Sequence, residues 1–88
     1  MSAKYRVSIY DYMNDHCWLG EFEGDSWFNP QGAALERAVK QHFGPEAVFI
    51  KDTAVSTPTV DYGVIKGASV RCPKGRVAIT VGAVKESV

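Results

Sequence analysis

The residues best suited to chemistry are crowded into DYMNDHCWLGEFEGDSWFNP, residues 11 to 30. This segment holds three aspartates, two glutamates, a histidine and a cysteine beside two tryptophans and two phenylalanines. Such groups could form a nucleophile–base pair, a metal site or a pair of catalytic acids. Whether they do depends on the strands and turns that would position them.

A nucleophile–base pair would need the cysteine and a histidine to meet. His16 and Cys17 are adjacent in a predicted strand, so their side chains point to opposite faces and cannot pair. His42, on a predicted helix, could approach Cys17 only if that cysteine faced the core, where a free thiol usually acts as a small hydrophobic group. We therefore predict no catalytic residue of this kind.

A metal site is the second alternative. Asp11, Asp15 and His16, together with Cys17 or His42, offer suitable ligand atoms. Their spacing lacks the Cys-x-x-Cys or His-x-x-x-His pairs of known sites. Residues 11–15 also lack the dense oxygen ligands and the central glycine of an EF-hand loop. These residues are therefore expected to be solvated turn residues, with no metal bound.

Paired acids are the third alternative. Glu21 and Glu23 are predicted to lie on one face of a strand, about 7 Å apart, which is within the range of glycosidase acid pairs. The alternation Glu-Phe-Glu is, however, typical of any strand with one wet face. The glycines at 63, 67, 75 and 82 do not form a phosphate-binding loop that leads into a helix. We predict a non-enzymatic protein without a cofactor.

Length and composition indicate one small globular domain. The chain has 88 residues, of which 45% are hydrophobic and 23% charged, values typical of a folded domain. Ten basic and ten acidic residues cancel, which argues against a general nucleic-acid binder. Charge is nevertheless uneven, because residues 1–25 have five acids and two bases, whereas residues 64–88 have five bases and one acid. These segments could neutralise each other in one sheet or form two faces that steer a partner.

Cys17 and Cys72 are too few for a disulfide framework. No secretory signal precedes the domain, and no apolar run approaches the roughly 18 residues that span a bilayer. We expect a cytoplasmic protein with reduced thiols and no membrane contact.

Periodicity predicts six elements. Alternation of apolar residues indicates strands over 4–12, 16–23 and 76–84, and apolar composition indicates further strands over 47–51 and 60–72. A helix is expected to begin at the cap Asn29 and Pro30, to present Leu35, Ala38, Val39 and His42 on one stripe, and to end at Gly44. Residues 52–61 are expected to form a surface loop, which could contain an edge strand, since Pro58 argues against a central one.

The predicted fold is a single α+β domain over residues 1–88. Its order β-β-α-β-β-β implies a mixed or antiparallel sheet of four or five strands, with one helix packed on one face. A β-grasp-like arrangement fits this order. No motif links the chain to a family.

One helix cannot cover both faces of a sheet whose strands carry apolar residues on both sides. We expect Tyr10, Tyr12, Trp18 and Phe22 to form the uncovered face, which would dock a partner. Glu21, Glu23 and Asp25 would favour a partner with a basic surface, and Trp27 would add a further aromatic contact. The leading hypothesis is a small inhibitor or adaptor, such as one encoded by a phage or mobile element.

Two alternatives stay open. The C-terminal hairpin carries Lys66, Arg71, Lys74 and Arg76, a basic ribbon that could bind nucleic acid. Four cations are few, and the acidic segment would repel a polyanion, so nucleic acid is not the favoured partner. A second copy of the chain could instead occupy the uncovered face and form a homodimer.

Overall fold

The computed structural model describes residues 3–28, 34–51, 59 and 61–86. Within these ranges five strands and one helix occur in the order β-β-α-β-β-β. Their bounds are β1 Ala3–Asp11, β2 His16–Gly24, α1 Ala34–Phe43, β3 Val48–Lys51, β4 Tyr62–Cys72 and β5 Gly75–Lys85. The predicted α+β class and element order are confirmed.

The five strands form one sheet in the order β2-β1-β5-β4-β3. Every neighbouring pair is antiparallel, which decides between the mixed and antiparallel alternatives. The hairpins β1–β2 and β4–β5 lie side by side, so the first and last strands meet at the centre. Because β2 and β3 lie at opposite edges, the connection that contains α1 crosses the sheet.

The β1–β2 turn is organised by a buried aspartate. The Asp11 carboxylate accepts hydrogen bonds from the backbone N–H of Met13 at 2.9 Å and of Asn14 at 3.3 Å. The Asn14 side-chain amide donates to the same carboxylate. This Asx-turn satisfies a buried charge locally and reverses the chain. Asp11 therefore has a structural role in the turn, but it is fully buried, and the expectation that it would be solvated is wrong.

Two glycines shape the β4–β5 hairpin. Gly75 has φ 121° directly after Pro73-Lys74, a conformation that L side chains rarely adopt. Gly67 has φ 72° and lies where the register shifts between Ile65 and Ala68, which marks a β-bulge. The predicted hairpin turn is confirmed, and the bulge bends β4.

The end of α1 is the one predicted. Gly44 has φ 110°, and its N–H donates to the Lys40 carbonyl at 3.0 Å, which is the αL form of helix termination. The predicted cap Asn29 and first-turn Pro30 lie outside the described residues. So does most of the predicted loop, of which only residues 59 and 61 are described.

The core lies between α1 and one face of the sheet, called the helix face below. Leu35, Ala38 and Val39 of the predicted stripe are buried. Their sheet counterparts are apolar side chains from the four longest strands: Tyr5, Val7, Ile9, Phe22, Ile65, Ala68, Val70, Ile79, Val81 and Ala83. Burying this surface stabilises the fold by about 25 cal/mol per Å² of apolar area.

Candidate functional site

The opposite side of the sheet, called the open face below, carries no helix among the described residues. Strand alternation and register place the following side chains on it: Lys4, Arg6, Ser8, Tyr10, Cys17, Leu19, Glu21, Glu23, Val48, Ile50, Tyr62, Val64, Ser69, Arg71, Arg76, Ala78, Thr80, Gly82 and Val84. The predicted surplus of apolar strand surface over helix cover is therefore present.

Four large side chains on the half of this face that also carries Glu21 form an apolar patch: Leu19, Tyr62, Val64 and Val84. Their exposed fractions are 64%, 62%, 41% and 60%. A shallow groove of about 310 Å³ runs between them. At its floor, a Cβ atom on Gly82 would lie only 3.2 Å from the Ser8 hydroxyl oxygen. The absence of a side chain at Gly82 keeps the groove open, and contiguous exposed apolar surface of this kind marks interaction sites.

The expectation that Trp18 and Phe22 lie on the open face is wrong. Phe22 is buried beneath α1, with its ring centroid 6.0 Å from that of His42. Trp18 stacks on His42 at 5.4 Å and meets the edge of Phe43 at 4.8 Å. Gly20 makes room for this packing, because a Cβ there would lie 2.8 Å from the Phe22 ring.

The predictions for the other three aromatic residues have different outcomes. Trp27 is fully buried, and its indole N–H donates to the Thr59 carbonyl at 2.8 Å, so the expectation that its ring faces a partner is wrong. Tyr10 and Tyr12 do project on the open side, with ring centroids 5.0 Å apart. The Tyr10 hydroxyl donates to Asp15, a hydrogen bond that raises the pKa of Tyr10.

Two of the three acidic residues predicted to face a partner, Glu21 and Glu23, lie at one corner of the open face. Glu21 and Glu23 are exposed on the edge strand β2, opposite Arg6 and Lys4 of β1. Within the described residues neither glutamate forms an ion pair, while Arg6 pairs with Glu86 at 3.0 Å. We call Glu21 and Glu23 the acidic corner. Asp25 is exposed just beyond the end of β2.

The basic hairpin residues occupy the far end of the same face. Arg71 and Arg76 are exposed and lie directly opposite each other on β4 and β5. The Arg76 guanidinium donates to the Ser69 hydroxyl at 3.0 Å, which orients it. We call Arg71 and Arg76 the basic corner. Lys74 lies in the adjoining turn, whereas Lys66 lies further along β4 at the bulge.

A second concavity, of about 290 Å³, opens at the end of the helix face. Trp18, Phe43 and Val77 supply its apolar walls, and Lys74 and Cys72 lie at its polar side. The Cys72 thiol donates to the Gly75 carbonyl at 3.4 Å, so it is not bonded to a general base.

The arrangement of the described residues does not support the other two chemical alternatives, a Cys–His pair and a metal site. Cys17 and Cys72 are free thiols on opposite faces of the sheet. Cys17 is exposed, so His42 and Cys17 lie on opposite sides of β2. Among the described residues, no group of three His, Cys, Asp or Glu side chains could hold a metal ion.

His42 couples the helix packing to pH. Burial lowers its pKa, and the neighbouring charge of His16 lowers it further. Its Nε2 atom is buried without a hydrogen-bond partner among the described residues. The unfolded chain therefore binds a proton more readily than the folded chain, so stability falls as pH drops below about 6.5.

We expect His42→Phe to flatten this pH dependence. Phenylalanine keeps a ring between Trp18 and Phe22 but does not titrate. Urea unfolding at about pH 7.5 and at about pH 5.5 would measure how much the free energy of unfolding changes between the two pH values. The carboxylates contribute equally to this change in all variants, so a difference between variants reports on the histidine. His16→Gln is the control and should retain most of the loss, because burial is the larger cause. A pH response of His42→Phe equal to that of the unaltered chain would contradict this role.

Comparison of the chain with family models, curated proteins and solved structures finds no match. Among the described residues, no helix is both long and apolar enough to cross a bilayer.

Proposed function

We propose that this chain is a non-enzymatic protein-binding domain that docks another protein on its open face. The observation that carries the proposal is the apolar patch of Leu19, Tyr62, Val64 and Val84, exposed around a groove on a face that no helix of the described residues covers. Small monomers rarely expose contiguous apolar surface without a partner to cover it. A cytoplasmic inhibitor or adaptor, of phage or mobile-element origin, would work in this way.

The partner's chemistry follows from the pattern of the face. The apolar patch calls for apolar side chains opposite it, and Tyr62 supplies the kind of aromatic residue that dominates interface energetics. The acidic corner calls for cations and the basic corner for carboxylates. Such peripheral charges set orientation and association rate more than affinity. A partner with only a basic surface would complement just half of this face.

Nucleic-acid binding is less well supported. Arg71 opposite Arg76 does concentrate positive charge, and arginine binds phosphate in a bidentate manner. The same face, however, presents Glu21, Glu23 and the apolar patch, and a polyanion would have to lie against them. An extended basic stripe is the expected footprint of a nucleic-acid-binding protein.

Photo-crosslinking from position 62 tests the proposal. A photoreactive phenylalanine analogue at Tyr62 should yield a discrete protein adduct in cells that naturally produce the chain. The reason is that Tyr62 lies inside the apolar patch and would contact the docked chain. Gel mobility and mass spectrometry of the adduct would identify the bound protein, whether foreign or a second copy.

The same analogue at Gln41 is the matched control. Gln41 is also exposed, but it lies on α1, on the other side of the sheet from the patch. We expect no discrete adduct from this position. Equal adducts from both positions, or none from position 62, would contradict docking on the open face.

A further inference from the structure

The two charged corners lie at opposite ends of the open face. Glu21 is in register with Arg6 and Val84, and Arg76 lies further along β5, roughly 26 Å from Val84 at 3.3 Å per residue. The acidic corner is on the edge strand β2, whereas the basic corner is on β4 and β5. The line that joins the corners therefore runs obliquely across the face, with apolar groups on both sides of it.

We infer that the docked protein is a second copy of the chain, packed open face to open face. This inference rests on the proposed function and names its partner. In this arrangement a two-fold axis lies in the plane between the two facing sheets and runs perpendicular to the line that joins the corners. Rotation by 180° about this axis exchanges the positions of the acidic corner and the basic corner. Each acidic corner then lies over the partner's basic corner, so both contacts form at once in an isologous dimer.

The same rotation gives the apolar patch an apolar counterpart. It lays Leu19 and Val84 over the half of the other face that carries Tyr12 and Val48, which are 56% and 45% exposed. Exposed apolar residues at both ends of the face are thus covered by one symmetric contact. A two-fold axis parallel to the strands would instead keep each residue at its own level along the strand direction, so Glu21 and Glu23 would not meet the partner's basic corner.

The face is large enough for a stable dimer. The longest strands, β4 and β5, have 11 residues each. Five strands of 9, 9, 4, 11 and 11 residues, about 4.8 Å apart and rising about 3.3 Å per residue, present a face of roughly 700 Å². A stable interface typically buries about 800 Å² on each partner, with a spread of about 200 Å². The apolar patch would supply the affinity, and the corners would select the one orientation in which unlike charges meet.

A charge-exchange experiment tests the dimer. The acidic-corner variant is Glu21→Lys with Glu23→Lys, and the basic-corner variant is Arg71→Glu with Arg76→Glu. Each alone places like charges at both corner contacts, so self-association measured by sedimentation should weaken at least about ten-fold. Mixing the two variants restores unlike charges at both contacts. The mixture should therefore form a one-to-one heterodimer, although neither variant dimerises alone.

Matched controls reverse exposed charges away from the open face. Arg37→Glu on α1 and Glu46→Lys after it should leave self-association unchanged. Circular dichroism shows whether each variant folds, and the single changes Glu23→Lys and Arg71→Glu serve if a double variant does not.

Three results would overturn the inference. They are a monomeric unaltered chain at every concentration, a corner variant that dimerises like the unaltered chain, and a variant mixture that stays monomeric. Pairing through the free edge of β2 would leave the basic-corner variant dimeric, which is the second result. A discrete foreign adduct from position 62 would still support the proposed function, so the two can fail separately.

Discussion

Replacing Trp27 with alanine is expected to lower the free energy of unfolding by about 3–5 kcal/mol, the usual cost of truncating a buried tryptophan. The side chain is fully buried, and its indole N–H donates to the Thr59 carbonyl at 2.8 Å. The backbone around it also meets the start of α1, where the Leu35 N–H donates to the Trp27 carbonyl at 3.2 Å. The truncation leaves a cavity and an unpaired carbonyl under the helix.

Urea unfolding followed by circular dichroism would measure this effect. Trp18→Ala is the natural control, because Trp18 is only half-buried at the edge of the helix face. It loses its contacts with His42 and Phe43 but opens toward solvent, so we expect a loss of about 1–2 kcal/mol. If Trp27→Ala cost no more than Trp18→Ala, Trp27 would not be the core residue described here.

Local patterns predict most of this fold because each element satisfies its own physical requirements. Alternation of Tyr5, Val7 and Ile9 indicates a strand, whatever lies beside it. Gly44 before Pro45 indicates a helix end, since glycine tolerates the left-handed backbone and proline cannot continue the helix. The pairing of β1 with β5 is different. It joins segments from the two ends of the chain, and no local pattern specifies it.

The composition of the open face was only partly predictable. Alternation correctly separates Trp18 and Phe22 from Cys17 and Leu19, but both sets are apolar, and alternation alone does not show which one the helix covers. The missed signal is that Glu21 and Glu23 share a face with Leu19. Two adjacent charges on one face of an edge strand mark it as the solvent side, which leaves Trp18 and Phe22 for the core.

Tyr62, Val64 and Val84 were missed for another reason. Valine and tyrosine are common in strands whether a face is buried or exposed, so their types say little about cover. Their exposure depends on the position of α1, which lies on the other side of the sheet. Burial of Trp27 likewise depends on its contact with Thr59, a residue distant in sequence.

Leu19→Ser together with Val84→Ser should abolish docking without unfolding the domain. Both side chains are mostly exposed, so their loss costs the isolated chain little stability, within about 0.5 kcal/mol per site. In a complex each would be buried, and burial of a leucine or valine contributes about 1.5–3 kcal/mol. Loss of both should weaken association at least about ten-fold. The serine changes should therefore weaken docking and leave stability nearly unchanged, whereas Trp27→Ala should lower stability.

The yield of the crosslinked adduct from position 62, compared between the unaltered patch and the double serine variant, tests the central claim most directly. We expect a discrete adduct that falls at least about ten-fold in the variant, with an unchanged melting temperature and with Gln41→Ser on α1 as a neutral control. An adduct of undiminished yield from a folded serine variant would contradict docking through the apolar patch.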